Sequence, residues 1–172
     1  ALSKHSKYKE KNLTLTTGLM LKEHLRYLGY NVVMTRKRDT FISLTKRSSL
    51  ANKRKSTLFV SIHYNAAPNL KANGIEIFYY KPLRGSERSS YSKKLAQAVL
   101  SGILLHTKAT SRGVKDGSFH VIRATKMPSI LVEGGFITNE KEMSKLRSPA
   151  YLNRISWGIA QGINSFVEAA IL

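Results

Sequence analysis

Two segments of this chain run through apolar residues and stop at a group that can titrate. Leu58-Phe59-Val60-Ser61-Ile62 ends in His63, followed by Tyr64, Asn65 and Ala66. Ser129-Ile130-Leu131-Val132 ends in Glu133, followed by Gly134, Gly135 and Phe136. A carboxylate directly after large aliphatic residues is costly unless it is paired, bound to a metal or used in a reaction. The two glycines after Glu133 let a backbone or a substrate come close. An imidazole in such a place can carry a proton or bind a metal, and it can equally be a hydrogen-bonded core histidine. For Glu133 the plainer role is a helix cap or an ion pair, since Lys and Arg are plentiful. Glu10 is the third acid of interest. It stands at the start of a helical stretch, where the helix dipole alone would favour an anion. Asn65 is either an amide that orients a carbonyl or a turn former. Glu76 lies mid-strand on a face that the pattern leaves undecided, and the other acids fall on helix flanks, loops and caps.

These residues need elements to hold them. Leu21, Leu25 and Leu28, with Gly29 as the C′ residue, predict a helix over 12–28. Ser43 caps a second over 43–55. Leu95, Val99 and Ile103 mark a third over 91–106, and Pro149 opens a last one with Leu152, Ile155, Ile159, Ile163 and Phe166 on its apolar stripe. Asn139 to Glu142 has the form of a capping box. Strands are predicted at 31–36, 58–63, 74–80, 119–123 and 129–133, with a turn around Gly113 and Gly117. Fully apolar strands alternating with amphipathic helices predict a three-layer α/β domain, a mostly parallel sheet with helices on both faces and with 58–63 and 129–133 as central strands. Open α/β sheets bind ligands beyond the C-terminal ends of their strands. Glu10, His63 and Glu133 are therefore expected to converge at one end of the sheet.

The composition narrows the chemistry. The 172 residues suit one domain, and 42% hydrophobic with 23% charged residues excludes wholesale disorder. The chain has no cysteine, which removes disulfides, a thiolate zinc site and a cysteine nucleophile together. It has no GxSxG, GxxxxGK[ST], HExxH or GxGxxG pattern, so serine-hydrolase, P-loop and dinucleotide chemistry lack support. Lys and Arg number 29 against 10 acids, giving a net charge of +19. Such a field favours nucleic acid, acidic lipid or a cell-wall polymer bearing carboxylates and phosphates. The basic residues are densest over 35–55, either a solvated face or an anion-binding edge. No apolar run approaches the ~18 residues of a membrane span, and no signal peptide opens the chain.

Taken in order, KEKNLTL, LGYNVVMTRKRDTFISLTKRSSLAN, LFVSIHYNAAPN, GIEIFYY, RGVKDGSFHVIR, MPSILVEGGFITNEKE and SPAYLNRISWGIAQGI resemble the catalytic domain of the family-3 zinc-dependent N-acetylmuramoyl-L-alanine amidases. The resemblance covers the chain from Glu10 to Ile163. It implies that Glu10 and His63 are ligands of Zn²⁺ and that Glu133 is the catalytic glutamate beside the metal. The implied reaction is hydrolysis of the amide joining N-acetylmuramic acid to the L-alanine of the stem peptide in peptidoglycan. Asn65 is the candidate substrate-orienting residue.

The family's first ligand is a histidine in a DPGHGG-like turn after a first strand, which this sequence does not contain. A further histidine ligand is therefore expected upstream of Ala1, and residues 1–172 are read as a single domain without that strand and turn. His5 is a poor substitute, lacking the glycines and the preceding strand. The resemblance further implies a role in cell division and a periplasmic or secreted location in a bacterium. It implies a monomer that acts on peptidoglycan and admits an activator protein as partner. The missing turn also admits a catalytically impaired peptidoglycan-binding domain of the same fold. A basic nucleic-acid-binding domain is motivated by charge alone, without a recognition-helix, RNP or zinc-finger signature.

Overall fold

The computed structural model describes residues 9–171; His5 lies outside the described residues. In chain order the elements are α1 (Glu10–Tyr27), α2 (Leu44–Lys53), β1 (Phe59–Asn65), β2 (Ile75–Tyr79), α3 (Glu87–Thr107), β3 (Ser111–Asp116), α4 (His120–Arg123), β4 (Ser129–Phe136), α5 (Glu140–Leu146) and α6 (Pro149–Ile171). The four strands form one mixed sheet in the order β1-β4-β2-β3. β1 pairs parallel with β4 and β2 parallel with β3, while β2 and β4 are antiparallel.

Alternation along the strands sorts the two faces. Val60, Ile62, Tyr64, Ile75, Ile77, Ile130 and Val132 point to the larger core with α1, α3 and α6. Phe59, Phe78 and Leu131 point the other way and pack with Val121 and Ile122 of α4, against which α2 also lies. The α6 stripe is buried as its spacing predicts, with Ile155 and Ile159 fully enclosed. Each such side chain contributes roughly 1.5–3 kcal/mol.

α6 lies unusually close to α3. A Cβ on Gly158 would sit 2.5 Å from Ile103 Cα, and one on Gly162 2.4 Å from Val99 Cα. Glycine at these positions lets the two helices meet backbone to backbone.

Several elements differ from the sequence expectation. β1 stands at the end of the described strand order instead of the centre, and Phe59, Val60 and Ile62 are only partly buried. Beside its outer edge, unpaired among the described residues, runs a cleft of about 1340 Å³, walled by β1, one side of α1 and residues 29–36. Residues 31–36 form no strand among the described residues, where they line the cleft and have no ladder partner. Residues 119–123 give one helical turn in place of a strand, and the segment expected to turn at Gly113 is the edge strand β3. The third helix starts earlier than expected, at Glu87, where Ser86 and Ser89 build a capping box.

Candidate active site

Register decides what meets at the end of the sheet. His63 is the Cα partner of Glu133 across β1 and β4. Glu76 is the Cα partner of Glu133 across β2 and β4. Directly opposed residues share a face, so His63, Glu133 and Glu76 form a row across three strands. Glu10, in the first turn of α1, reaches the same row and accepts a hydrogen bond from His63 Nδ1 at 3.0 Å. The sheet end thus brings Glu10, His63 and Glu133 together, 123 residues apart in sequence at the extremes (133 − 10).

The imidazole is held on both sides. With Nδ1 donating to the Glu10 carboxylate, Nε2 is left to the Ser61 hydroxyl at 3.0 Å. Ser61 precedes His63 by two positions on the same strand face, a contact that period-2 alternation could have flagged. Burial raises the Glu10 pKa, but the hydrogen bond and charge of His63, with the Tyr64 backbone N–H, outweigh it and leave Glu10 below its ordinary range.

Glu133 is the opposite case. Its Oε2 is buried without a hydrogen-bond partner among the described residues. Burial, with the negative charges of Glu10 and Glu76 nearby, pushes its pKa up to about 8. The row therefore holds a well-stabilised carboxylate at Glu10 and a poorly stabilised one at Glu133, an arrangement that sets one acid apart for proton transfer.

The glycines after Glu133 have a local reason. His63 pairs with Glu133 but Asn65 with Phe136, so β4 carries one extra residue here. Gly135 takes φ +130° in this bulge, and a Cβ on Gly134 would lie 2.8 Å from the Tyr64 ring. The pair lets β4 bend past Tyr64, in addition to whatever it leaves open to a substrate.

Asn65 is engaged at both ends of its amide. Nδ2 donates to Glu76 Oε1 at 2.9 Å, and Oδ1 accepts from the Ala66 backbone at 2.8 Å. Glu76, only 4% exposed, also accepts from Arg112 Nε at 3.0 Å and from Lys115 Nζ. These cations outweigh its burial and hold its pKa low. The sequence pattern hides this cluster, since Ile75 and Ile77 are as buried as Glu76. The capping box at α5 is half formed. Asn139 accepts from the Glu142 backbone, while the Glu142 carboxylate turns away to the backbone N–H groups of Gly74 and Phe136.

The basic stretch 35–55 divides. Lys37, Arg38, Lys46, Lys53, Arg54 and Lys55 are exposed, whereas Arg36 donates to the Lys11 carbonyl and Arg47 to that of Ile42. Most of it is thus a solvated face.

The donor set can be compared with what a catalytic zinc site needs, namely three protein N or O ligands and an open position. Glu10 and His63 supply one carboxylate oxygen and one imidazole nitrogen, adjacent to each other at 3.0 Å. That pair fits two of the three ligand positions. Among the described residues no group of three or more His, Cys, Asp or Glu side chains is placed to hold a metal ion.

An α/β sheet with a carboxylate-histidine pair and a buried, poorly stabilised glutamate at its rim has the residue types that metal-assisted hydrolysis uses. The sequence profile of N-acetylmuramoyl-L-alanine amidases matches residues 1–165. The chain belongs to this family of cell-wall hydrolases, the family-3 amidases. It is 35% identical over 156 residues to the N-acetylmuramoyl-L-alanine amidase CwlM of Bacillus licheniformis, covering 90% of this chain and 58% of that protein. The solved N-acetylmuramoyl-L-alanine amidase of Clostridium difficile 630 superposes with a TM-score of 0.91 at 37% identity, over 98% of this chain and 89% of that one. The CwlD amidase of Clostridioides difficile, solved in complex with the GerS lipoprotein, matches with a TM-score of 0.89 at 28% identity, over 98% of this chain and 91% of that one. The chain spans 75%, 31% and 58% of the length of three curated relatives. No described helix is long and apolar enough to cross a membrane.

Proposed function

We propose that this domain hydrolyses the amide between N-acetylmuramic acid and L-alanine in peptidoglycan, using Zn²⁺ held by Glu10 and His63 and a proton acceptor at Glu133. The observation that carries this reading is the Glu10–His63 pair beside the buried, unpartnered oxygen of Glu133. Zinc, when bound, would lower the pKa of water toward ~7 and polarise the scissile carbonyl. Ser61 would fix the orientation of His63, as partners behind a ligand do. Glu133 would take a proton from the attacking water and return it to the leaving amine. A pKa near 8 without a bound cation suits this two-way traffic, since a nearby positive charge draws it down.

The third ligand is assigned to a histidine upstream of Ala1. This assignment follows from the family resemblance. Action in the cell envelope of a bacterium, periplasmic or secreted, a part in cell division and an activator protein follow the family resemblance. The lack of a third donor among the described residues favours one other reading, a peptidoglycan-binding domain of this fold that does not cut.

One experiment separates the two: metal stoichiometry and muropeptide release for the wild type, Glu133→Gln and His63→Ala, in the natural full-length protein. Glu133→Gln is expected to keep zinc and lose activity by ~10²–10⁴-fold, with the loss in kcat. His63→Ala is expected to lose zinc and activity together. Full activity in both variants sinks the zinc-amidase reading. Peptidoglycan binding without any release by the wild type selects the binding domain.

A further inference from the structure

The amidase reading leaves the Glu76 cluster without a task, although it adjoins Glu133 in the same row. Its construction points outward. One carboxylate, almost wholly buried, accepts from Asn65, Arg112 and Lys115 together. One negative charge is thereby set against two positive ones, and both cations keep an exposed part, 35% for the Arg112 side chain and 41% for Lys115.

Arg112 is clamped. Its guanidinium lies over the Phe136 ring at 5.0 Å. Its stem passes so close to Gly74 that a Cβ there would be 2.9 Å from Arg112 Cγ and 2.7 Å from the Thr110 carbonyl oxygen. Only Nε is used, toward Glu76, so the two terminal nitrogens have no hydrogen-bond partner among the described residues. An arginine held by its stem, its ring face and Nε, with its outer fork free, is pre-organised for an oxyanion.

Glu76 faces Glu133 across the β2–β4 pair, and Arg112 Nε lies 3.0 Å from Glu76, so this fork borders the same end of the sheet as Glu133. We propose that Arg112, assisted by Lys115, docks a free carboxylate of the stem peptide released by hydrolysis, and that Glu76 positions both cations for it. This assignment rests on the amidase reading for its substrate class. A side-chain or terminal carboxylate of the peptide would be preferred over its amide, and an uncharged peptide would lose this anchor.

The test uses the natural full-length protein and two muramyl peptides of the same sequence, one with its carboxylates free and one with them amidated. Dissociation constants are measured by calorimetry, and kcat and KM by muropeptide release. The wild type is expected to bind the free acid about tenfold more tightly, the scale of one charge-assisted pair. Arg112→Gln should abolish that preference through KM while leaving affinity for the amidated peptide unchanged, and Arg112→Lys should restore part of it. Equal weakening toward both peptides in Arg112→Gln would show a structural ion pair only and overturn the proposal, as would a wild type that does not discriminate. Cleavage of both peptides without discrimination leaves the amidase reading standing and removes this docking site. Discrimination in binding without cleavage of either does the reverse.

Discussion

Along the α3–α6 seam, Gly102, Gly158 and Gly162 bring main chain against main chain and leave no room for a methyl group. Along the outer edge of β1, a cleft of about 1340 Å³ separates the strand from residues 29–36, and the strand's apolar side chains are only partly covered. The same sheet carries a helix layer closed to its limit on one side and an open edge on another. The closed region builds the scaffold that fixes β4 and β2. The open one borders Glu10 and His63, the two residues assigned to metal binding. Stability and chemistry are therefore concentrated in different places, and substitutions should separate them.

The largest effect is expected in the seam. Gly162→Ala places a Cβ 2.4 Å from Val99 Cα, where the neighbour is backbone and cannot rotate away. The helices must part, which should cost about 3 kcal/mol or prevent folding. The midpoint of urea unfolding reports this, and a variant as stable as the wild type would contradict the close packing.

Next comes Glu133, at the boundary of the two regions. Its folded pKa near 8 exceeds the ordinary 4.5, so the unfolded chain ionises first as pH rises. Stability that is fully present below about 4.5 is lost progressively up to about pH 8. Glu133→Gln removes this loss. In chelator, the variant should match the wild type near pH 4 and exceed it above pH 8, by on the order of a few kcal/mol. A difference that does not change with pH would mean that Glu133 is not destabilised by ionisation.

A smaller effect belongs to the contact that ties α1 to β1. Thr17 and Tyr64 share a buried hydrogen bond of 2.6 Å between their hydroxyls. Thr17 also donates to the Leu13 carbonyl, so Tyr64→Phe leaves no orphaned group and should cost about 1 kcal/mol in thermal or denaturant unfolding. The smallest effect has the opposite sign. Gly18, on the cleft side of α1, would meet only Met34 Cε, at 3.5 Å. Gly18→Ala should stabilise by ~0.5–1 kcal/mol through helix propensity, in contrast to the same change in the seam.

The sequence made the ends of β1 and β4 legible because an apolar run that stops at His63 or Glu133 is uncommon and physically costly. It also made α6 legible, through a stripe whose Leu152, Ile155, Ile159 and Ile163 are buried and whose Phe166 is partly so. It misplaced β3, whose Ser111-Arg112-Gly113-Val114-Lys115-Asp116 lacks any apolar alternation because it is a solvated edge. Residues 31–36 carry strand-forming side chains, yet propensity cannot create a ladder without a partner. Glu10, His63 and Glu133 were singled out by type and position, but Ser61, Glu76, Arg112 and Lys115 were not. Their relation depends on register across four strands, and register is not written in any local window.

The Glu142 carboxylate, bonded to the amides of Gly74 and Phe136, fastens the start of β2 to the end of β4. The end of the β2–β4 pairing that carries Glu76 and Glu133 is thus fixed to α5 by one side chain. A rim riveted in this manner holds Glu76 and Glu133 in place before any ligand arrives. For the proposed amidase, the cost of ordering would be met by the substrate, and binding would gain more from tethering the domain near its polymer than from loosening its loops.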